Sequence, residues 1–415
     1  MPETPENIST PVCIIGAGPA GISASIALSA RQVPHLIVDA ATFPRHKPCG
    51  DIMPSQVIRE LNALDPEIFA RLNRENRINP IWHTLTYPPN GKPIHIDYLP
   101  FDGQEGQAGC FSVSRHEFDQ ILIDRMLESP FVQFQQGCRI TGIDQKPEAI
   151  VLKTEDKRTI AAGVLIVATG SSNSVLKFLG IEQPRTDCAI GIRGHFKGLG
   201  LKPSVTELFL DPEIMPGGLY ITPLPGGVYN VNLVLSLDKV KKENLNLREV
   251  FESFVQKHPI LKERFAGAER IGNFEGSMLF LGIHKKPISG HRYMVAGDSA
   301  GLIEIMSGNG IPQAILSGKM AAVQAAEAIR TGDFGFEQFG LYETGLFRRI
   351  GKNYSAGRFF YPALHKKWIS RSILGFLNYL SGRPKTNDLL RDLLYEKHPE
   401  KQLRNPVFYY KLLLG

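Results

Sequence analysis

The chain has 415 residues, of which 43% are hydrophobic and 21% charged, so it can form two or three folded domains and does not belong to a disordered class. The first residues, MPETPENISTP, lack the basic and apolar regions of a secretory signal, and no run of about 18 apolar residues predicts a membrane span. The five cysteines are scattered without a CxxC pair, which argues against a disulfide framework and a zinc site. We therefore expect a cytoplasmic protein without a bound metal.

The net charge of +6 is unevenly distributed along the chain. Residues 341–415 hold 14 Lys+Arg and 5 Asp+Glu, a net +9, whereas the remainder carries −3; the same segment holds 13 of the 37 aromatic residues. This composition fits an interfacial helix against anionic lipid, hence a peripheral contact with the inner membrane surface, or a lid over a long apolar substrate. Amphipathic helices packed on the body with a solvated basic face are the alternative. No nucleic-acid partner is expected.

In chain order, the apolar pattern first predicts a parallel β-α-β unit made of a strand at 11–16, a helix at 19–31 and a strand at 35–39. Short segments between about 80 and 112 fit antiparallel strands, and residues 115–128 have helical periodicity. Further strands are predicted near 131–136, 139–145, 149–154, 158–161, 164–168 and 292–296, with an antiparallel stretch over 187–235. Further helices are predicted at 54–64, 246–257 and 310–330, and through most of the tail.

Parallel-type strands are therefore separated by antiparallel blocks. This order predicts an α/β protein with a discontinuous Rossmann-like nucleotide-binding domain, an inserted antiparallel-sheet substrate domain and a helical C-terminal tail. The expected nucleotide-binding parts are 1–78, 113–186 and 286–335. The expected substrate-domain parts are 79–112 and 187–285, and the tail is 336–415.

The motif Gly16-Ala17-Gly18-Pro19-Ala20-Gly21 follows the first strand and opens the first helix. Gly16 permits a tight turn, Gly18 lets the backbone approach a pyrophosphate, and Gly21 allows close packing of helix on sheet. Asp39 ends the next strand, where it can accept hydrogen bonds from ribose hydroxyls, and the helix N-terminus stabilises phosphate. The combination predicts a dinucleotide site; a glycine-rich turn of an ordinary α/β protein is the alternative.

Two further motifs end the later buried strands. Val167-Ala168-Thr169-Gly170 is weak by itself, because any strand-to-loop turn explains it. Gly297-Asp298 would place a carboxylate beside a nucleotide's sugar chain, and Gly308-Asn309-Gly310-Ile311 would offer backbone N–H groups to an anion at a helix start. A satisfied loop Asp and a flexible turn are the alternative, but the order of the three motifs favours a nucleotide site.

With the segments FPRHKPCG (43–50) and VSRHEFD (113–119), these motifs resemble the FAD-dependent oxidoreductases built like para-hydroxybenzoate hydroxylase. Within that superfamily they are most similar to the geranylgeranyl reductase and FixC-type flavoprotein branch, over residues 11 to about 330. The resemblance implies FAD as the cofactor. Motifs and resemblance together imply these cofactor-binding residues: Gly16, Gly18, Ala20, Gly21, Asp39, Arg45, Cys49, Gly50, Arg115, Asp298, Gly308, Gly310 and Ile311.

Two departures from the family pattern bear on the reaction. Residues 167–170 read VATG where many hydroxylases of the group carry Gly-Ala-Asp-Gly, which disfavours aromatic hydroxylation. Residues 218–223 read GLYITP, without the tryptophans of the halogenase motif Trp-x-Trp-x-Ile-Pro. The reductase branch has Tyr-x-Trp-x-Phe-Pro there, and Tyr220 stands where Trp is usual.

The resemblance thus implies reduction of C=C bonds in a prenyl or lipid-like substrate by hydride transfer from reduced flavin. An FAD-dependent monooxygenase or halogenase-like tailoring enzyme, and an electron-transfer flavoprotein to quinone, are the alternatives. No second GxGxxG is present, so NAD(P)H would bind transiently or a reduced carrier would supply electrons.

An alkene needs a proton besides the hydride. Cys49 lies in the loop that the family folds over the flavin ring, and it is the candidate donor, with Tyr220 as a second candidate catalytic residue. An inert buried thiol is the alternative for Cys49. Arg45 and Lys47 either hold a phosphate or a flavin carbonyl, or are solvated loop charges.

Overall fold

The computed structural model describes residues 7–103, 106–182, 188–282 and 287–381, together with Arg383 and Asn387. The predictions for the tail beyond Asn387, and for the start of the antiparallel stretch at residue 187, lie outside the described residues. The strands are β1 Ile8–Ile15, β2 His35–Val38, β3 Ile52–Pro54, β4 Asn79–Ile81, β5 His83–Tyr87, β6 Ile94–Asp97, β7 Cys110–Ser112, β8 Val132–Gln135, β9 Ile140–Gln145, β10 Ile150–Thr154, β11 Thr159–Val167, β12 Cys188–Lys197, β13 Val205–Phe209, β14 Gly217–Leu224, β15 Val228–Ser236, β16 Glu269–Phe280, β17 Ser289–Gly290 and β18 Tyr293–Val295. The helices are α1 Pro19–Ser29, α2 Ser55–Leu64, α3 Pro66–Arg74, α4 Arg115–Leu127, α5 Ser174–Phe178, α6 Leu237–Glu243, α7 Leu247–Lys257, α8 Pro259–Phe265, α9 Ile311–Thr331, α10 Phe336–Leu364 and α11 Lys367–Leu380.

An eight-stranded sheet forms the nucleotide-binding part of the fold. Its order is β17-β18-β11-β1-β2-β8, and β10 and β9 branch from β11. The five strands from β18 to β8 run parallel, with Ile14 of β1 opposite both Ile166 and Ile37. The buried strands consist of apolar residues because both faces of such a sheet are covered. The predicted parallel sheet, assembled from separated parts of the chain, is confirmed.

One prediction for this sheet is wrong. Residues 158–161 and 164–168 do not form two strands, because β11 is continuous over Thr159–Val167. Its first half pairs antiparallel with β10, and its whole length pairs parallel with β1. Gly163 permits the close approach, since a Cβ there would lie 2.8 Å from the carbonyl oxygen of Pro11. The glycine that looks like a strand break is therefore a packing requirement.

A seven-stranded sheet, in the order β16-β12-β15-β14-β13-β5-β6, forms the inserted part. All of its pairs are antiparallel except β13 with β5, so the predicted antiparallel insert is confirmed. Leu219, Ile221 and Val231 pack with Phe251 and Phe254 of α7 on one face. The sequence did not reveal β16, because it is an edge strand whose first residues are exposed and show no apolar run.

A small sheet, β3-β7-β4, lies beside the two large ones. The tail helices α10 and α11 follow α9, and Tyr342 of α10 is buried and donates to the carbonyl oxygen of Val295 in β18. The first part of the tail is therefore fastened to the parallel sheet. No helix in the described ranges combines the length and apolar character needed to cross a bilayer.

Small residues bring α1 and α9 into direct backbone contact. A Cβ added at Gly318 of α9 would lie 2.0 Å from the carbonyl oxygen of Ala20 in α1. A Cβ at Gly297 would lie 3.0 Å from the Cβ of Ala20. Helix α1 is buried along nearly its whole length, between the sheet and this neighbour. The contact fixes the two helix N-termini relative to each other.

We predict that Gly318→Ala lowers the free energy of unfolding by about 1–3 kcal/mol, because the methyl group has no room against the Ala20 carbonyl. Gly340→Ala in α10 is the matched control. A Cβ there would meet no atom within 4 Å outside its own turn, so alanine should stabilise the helix by about 0.5–1 kcal/mol. Urea denaturation measures both. Equal effects of the two substitutions would contradict the packing assigned to Gly318.

Candidate functional site

The three glycines of the first motif have three different surroundings. Gly16 has φ +103°, and a Cβ there would lie 2.3 Å from the carbonyl oxygen of Ala168. At Gly21 a Cβ would lie 1.8 Å from the carbonyl oxygen of Gly16. At Gly18 it would meet only Nη2 of Arg45, at 3.5 Å. Gly16 and Gly21 thus set the packing of strand, turn and helix, while Gly18 leaves open space at the N-terminus of α1.

Asp39 follows β2 and fixes the same turn. Its carboxylate accepts hydrogen bonds from the backbone N–H groups of Ala17 and Ala41, each at 2.7 Å. The acid therefore stabilises the loop conformation on both sides of the nucleotide motif. The ribose contact expected for Asp39 stays a prediction.

The loop over residues 43–51 brings basic side chains to this turn. Arg45 reaches the Gly18 side, and its Nη2 lies 3.8 Å from the carboxylate of Asp119. Its Nε is buried and has no hydrogen-bond partner among the residues the structure describes. Buried polar groups are normally paired, so an unpaired guanidinium N–H is suited to an anionic ligand.

Asp298 lies at the start of α9. It follows β18 in a short 3₁₀ helix, Gly297–Ala300, and a Cβ at Gly310 would lie 2.9 Å from its Oδ1. Burial raises the pKa of Asp298, opposed by the charges of Lys47 and Arg115. Burial likewise lowers the pKa of Lys47, opposed by Asp298. The carboxyl and the ammonium thus support each other's charged form across the site.

Arg115 begins α4, directly after the N-cap residue Ser114. Its guanidinium makes a two-pronged contact with Asp119, with Nε–Oδ1 at 2.9 Å and Nη2–Oδ2 at 2.8 Å. Burial favours the neutral form, but Asp119 and the thiol of Cys49 raise the pKa of Arg115 above its ordinary value. The guanidinium therefore stays charged although it is only 7% exposed.

Asp51 connects this loop to the seven-stranded sheet. It is fully buried, has φ +59°, and its carboxylate accepts from the backbone N–H of Arg115 and from Nδ2 of Asn230 on β15. Nη1 of Arg193 on β12 lies 3.4 Å from the same carboxylate. Nδ2 of Asn230 also donates to the carbonyl oxygen of Cys49, at 2.8 Å. The backbone at Cys49 is therefore held between the two large sheets.

The thiol of Cys49 is protonated at neutral pH. Burial raises its pKa, and the charge of Asp51 raises it further, while Arg115 opposes both by a hydrogen bond and by its charge. Thiolates are nucleophiles and neutral thiols are weak acids. The site thus favours a proton-holding role for Cys49 over a nucleophilic one.

Tyr220 lies on β14, opposite Asn232 of β15, and Asn232 donates to the side chain of Asn230. Burial raises the pKa of Tyr220, so the phenol stays neutral. The sheet register thus places Tyr220 opposite Asn232, the first amide of the series that ends at Asp51. Its catalytic role stays a prediction.

Three residues of this network were missed by the sequence analysis: Asp51, Arg193 and Asn230. Asp51 directly follows the Cys49-Gly50 motif, which is the only signal that could have pointed to it. Arg193 and Asn230 lie more than 140 residues further on, within strands whose pairing is not readable from the sequence.

The site fits the predicted FAD. No described side chain caps the N-terminus of α1 or of α9, so both helix ends are available to an anion. Together with the space at Gly18 and the unpaired Nε of Arg45, they would suit a diphosphate, and Asp298 would suit hydroxyls of a ribityl chain. Cys49, Gly50 and Gly308 lie on the loops that flank these groups, and Ile311 is the first residue of α9. Their individual contacts with the cofactor stay predictions.

We predict that Gly18→Val abolishes FAD binding while the protein still folds. The branched side chain would occupy the space where a diphosphate must approach the backbone, whereas the folded chain itself places only the flexible end of Arg45 near that position. Flavin absorbance of the purified variant and its far-ultraviolet circular dichroism test the two parts. A variant that folds and keeps stoichiometric FAD would contradict the role of Gly18.

The chain is similar to known oxidoreductases. Residues 10–193 match the pyridine nucleotide-disulphide oxidoreductase family. The chain is 26% identical over 334 residues to the menaquinone reductase of Mycolicibacterium smegmatis, covering 76% of each protein. It is 24% identical over 347 residues to the digeranylgeranylglycerophospholipid reductase of Thermoplasma volcanium, covering 80% of this chain and 82% of that protein.

The fold is likewise found in a solved structure. A geranylgeranyl bacteriochlorophyll reductase-like protein from Thermoplasma acidophilum superimposes with a TM-score of 0.79 at 19% identity, covering 96% of this chain and 99% of the other. The resemblance predicted from the motifs, the fold class and the cofactor FAD are thereby confirmed. The chain is an FAD-dependent oxidoreductase and is similar to reductases of the geranylgeranyl type.

Proposed function

We propose that the protein saturates carbon–carbon double bonds of a prenyl or other lipid-like substrate. The names of two relatives, a menaquinone reductase and a digeranylgeranylglycerophospholipid reductase, support a lipid substrate. The observation that carries the proposal is the position of Cys49: its backbone is held at the junction between the FAD motifs and the seven-stranded sheet, where burial raises the pKa of the thiol. A reductase of unpolarised alkenes needs such an acid, and an electron-transfer protein does not.

The chain's own residues account for the proton. Bound FAD supplies the hydride chemistry. Cys49 Sγ holds a proton that one alkene carbon can take, and the thiolate left behind is stabilised by the charged Arg115. Burial and the carboxylate of Asp51 disfavour that thiolate, so a proton from solvent returns to Sγ after each turnover. Asn230 keeps the Cys49 backbone in place throughout.

The reaction is tested by anaerobic photoreduction of the FAD-loaded protein, followed by mass spectrometry of added prenyl lipids. Saturation adds two hydrogen atoms for each reduced double bond. NADPH and NADH are then compared as reductants in place of light. Oxygen consumption with NADPH and no saturated product would favour a monooxygenase or halogenase-like reaction. Quinone reduction with the prenyl chains unchanged would favour electron transfer.

We predict that Cys49→Ala keeps FAD and its photoreduction but lowers turnover about 10²–10⁴-fold, the usual effect of removing a general acid. Cys188→Ala, which removes another buried thiol at the start of β12, is the matched control and should leave turnover within about two-fold. Product formation per reduced flavin is the measurement. Turnover of the Cys49 variant within a few-fold of the wild type would reduce Cys49 to a packing contact and leave the cofactor assignment unaffected.

We also propose that the tail contacts a membrane surface. Trp368 in α11 is 69% exposed, and Arg371, Gly375 and Tyr379 continue its helix face toward solvent. Lys366 and Lys367 lie exposed beside it at the helix start. An exposed aromatic residue next to several cations is typical of helices that lie in the headgroup region. Contact with a membrane would bring the protein to a lipid substrate.

We predict salt-sensitive binding to anionic vesicles. Each Lys or Arg near such a surface contributes about 1 kcal/mol, and the attraction decays within about 8 Å at physiological salt. A variant with Arg348, Arg349, Lys366 and Lys367 changed to Gln should co-sediment much less than the wild type. Neutral vesicles should bind both proteins weakly.

The matched control carries the same loss of charge elsewhere, with Arg139, Lys153, Arg248 and Lys257 changed to Gln. These side chains are more than half exposed and form surface ion pairs, which contribute little to stability; Arg248 also lies 5.8 Å from the ring centre of Phe274. The control should sediment like the wild type. Equal binding of all three proteins, or none at low salt, would show that the tail only packs on the body.

A further inference from the structure

A cavity of about 320 Å³ lies beside the flavin loop and is lined almost entirely by nitrogen-bearing side chains. Ser114 at the start of α4 also lines it, and no carboxylate of the described chain does. Its basic and imidazole groups come from the loop, from α4 and from β12: His46, Lys47, Arg115, His116, Arg193 and His195. Of these residues, only Arg115 takes part in the proton transfer proposed above, through its hydrogen bond and charge interaction with the thiol of Cys49.

The two arginines are already matched by carboxylates. Arg115 pairs with Asp119, and Arg193 pairs with Glu275 at 2.7 Å and with Asp51. Lys47 faces the carboxyl of Asp298, and its Nζ makes among the described residues a single long hydrogen bond, 3.5 Å, with Ser171 Oγ. The cavity is therefore rich in hydrogen-bond donors rather than in unbalanced positive charge.

The imidazoles supply further donors. Nε2 of His195 is buried and has no hydrogen-bond partner among the described residues; the nearest carboxylate oxygen, on Asp51, lies 3.8 Å away. The rings of His46 and His116 face each other across 5.9 Å. His116 has Glu117 at 3.6 Å, and that carboxylate is engaged by Arg77. Donors thus converge on the cavity from three separate elements.

The cavity is distinct from the predicted FAD diphosphate position. Arg45 reaches toward Gly18, whereas the next residue, His46, lines the cavity. Among the described residues, none of the turn 16–21 and none of the segment 308–311 lines it. Lys47 and Arg115 reach both sides, since the charges of both also act on Asp298.

We propose that this cavity binds a phosphate or diphosphate group of a second ligand, next to the bound FAD. Several donors from different directions match the many oxygens of a phosphate better than the two of a carboxylate. The group belongs either to a dinucleotide reductant or to the polar head of the substrate. The second source rests on the proposed function, whereas the assignment of the anion site does not.

Inorganic pyrophosphate is the probe, titrated calorimetrically into FAD-saturated protein at low salt. The wild type should bind one equivalent while the flavin absorbance shows that FAD stays bound. The double variant His46→Gln/His195→Gln should bind at least 10-fold more weakly, and His116→Gln alone should weaken binding about 3-fold. His291→Gln, an exposed histidine elsewhere, is the matched control and should bind like the wild type.

Competition identifies the source of the group. If pyrophosphate slows flavin reduction by NADPH competitively, the site serves the reductant; if it displaces farnesyl diphosphate instead, the site serves the substrate. Absence of binding, equal affinity of wild type and variants, release of FAD on binding, or displacement of neither compound would overturn the assignment. Alkene saturation after photoreduction is scored separately, so the failure of one proposal does not imply failure of the other.

Discussion

The contact between α1 and α9 is the constraint on which the site depends. Two helices can place their N-termini side by side only if their backbones approach closely, and here Gly318 lies directly against the carbonyl oxygen of Ala20. Both helices then begin at the same edge of the parallel sheet, one after β1 and the other after β18. An anionic cofactor at this edge receives two positive helix ends instead of one. The glycines of the sequence motifs are therefore needed for this close packing as well as for binding the ligand.

A second constraint joins the two halves of the molecule. A fully buried carboxylate is costly unless it is paired and hydrogen-bonded, and Asp51 meets that requirement with donors from three elements. Removing Asn230 or Arg193 would leave part of that charge unsatisfied. Arg193 and Asn230 also donate to the carbonyl oxygen of Cys49, so the position of Cys49 is set by how the seven-stranded sheet docks on the parallel one.

The sequence predicted those features of the fold that arise from local chemistry. The glycine spacing, the buried strands and the acid after β2 each have a local cause, and the structure confirms the resulting fold. The sequence could not predict the side-chain contacts that depend on how the strands pair. Asn230 and Arg193 reach Asp51 only because β12 pairs with β15, and edge strand β16 lacks an apolar pattern. Gly163 misled the prediction because a close backbone approach and a strand break leave the same residue in the sequence.

The partners of Cys49 act in opposite directions, and this opposition suits an acid that works repeatedly. If only burial and Asp51 acted on the thiol, it would hold its proton too firmly to release it. If only Arg115 acted, the thiolate would persist and no proton would return. Arg115 can take part because Asp119 keeps its guanidinium charged despite its burial. The chemistry of the thiol is therefore set by a balance between two buried carboxylates and one arginine, none of which needs to touch the substrate.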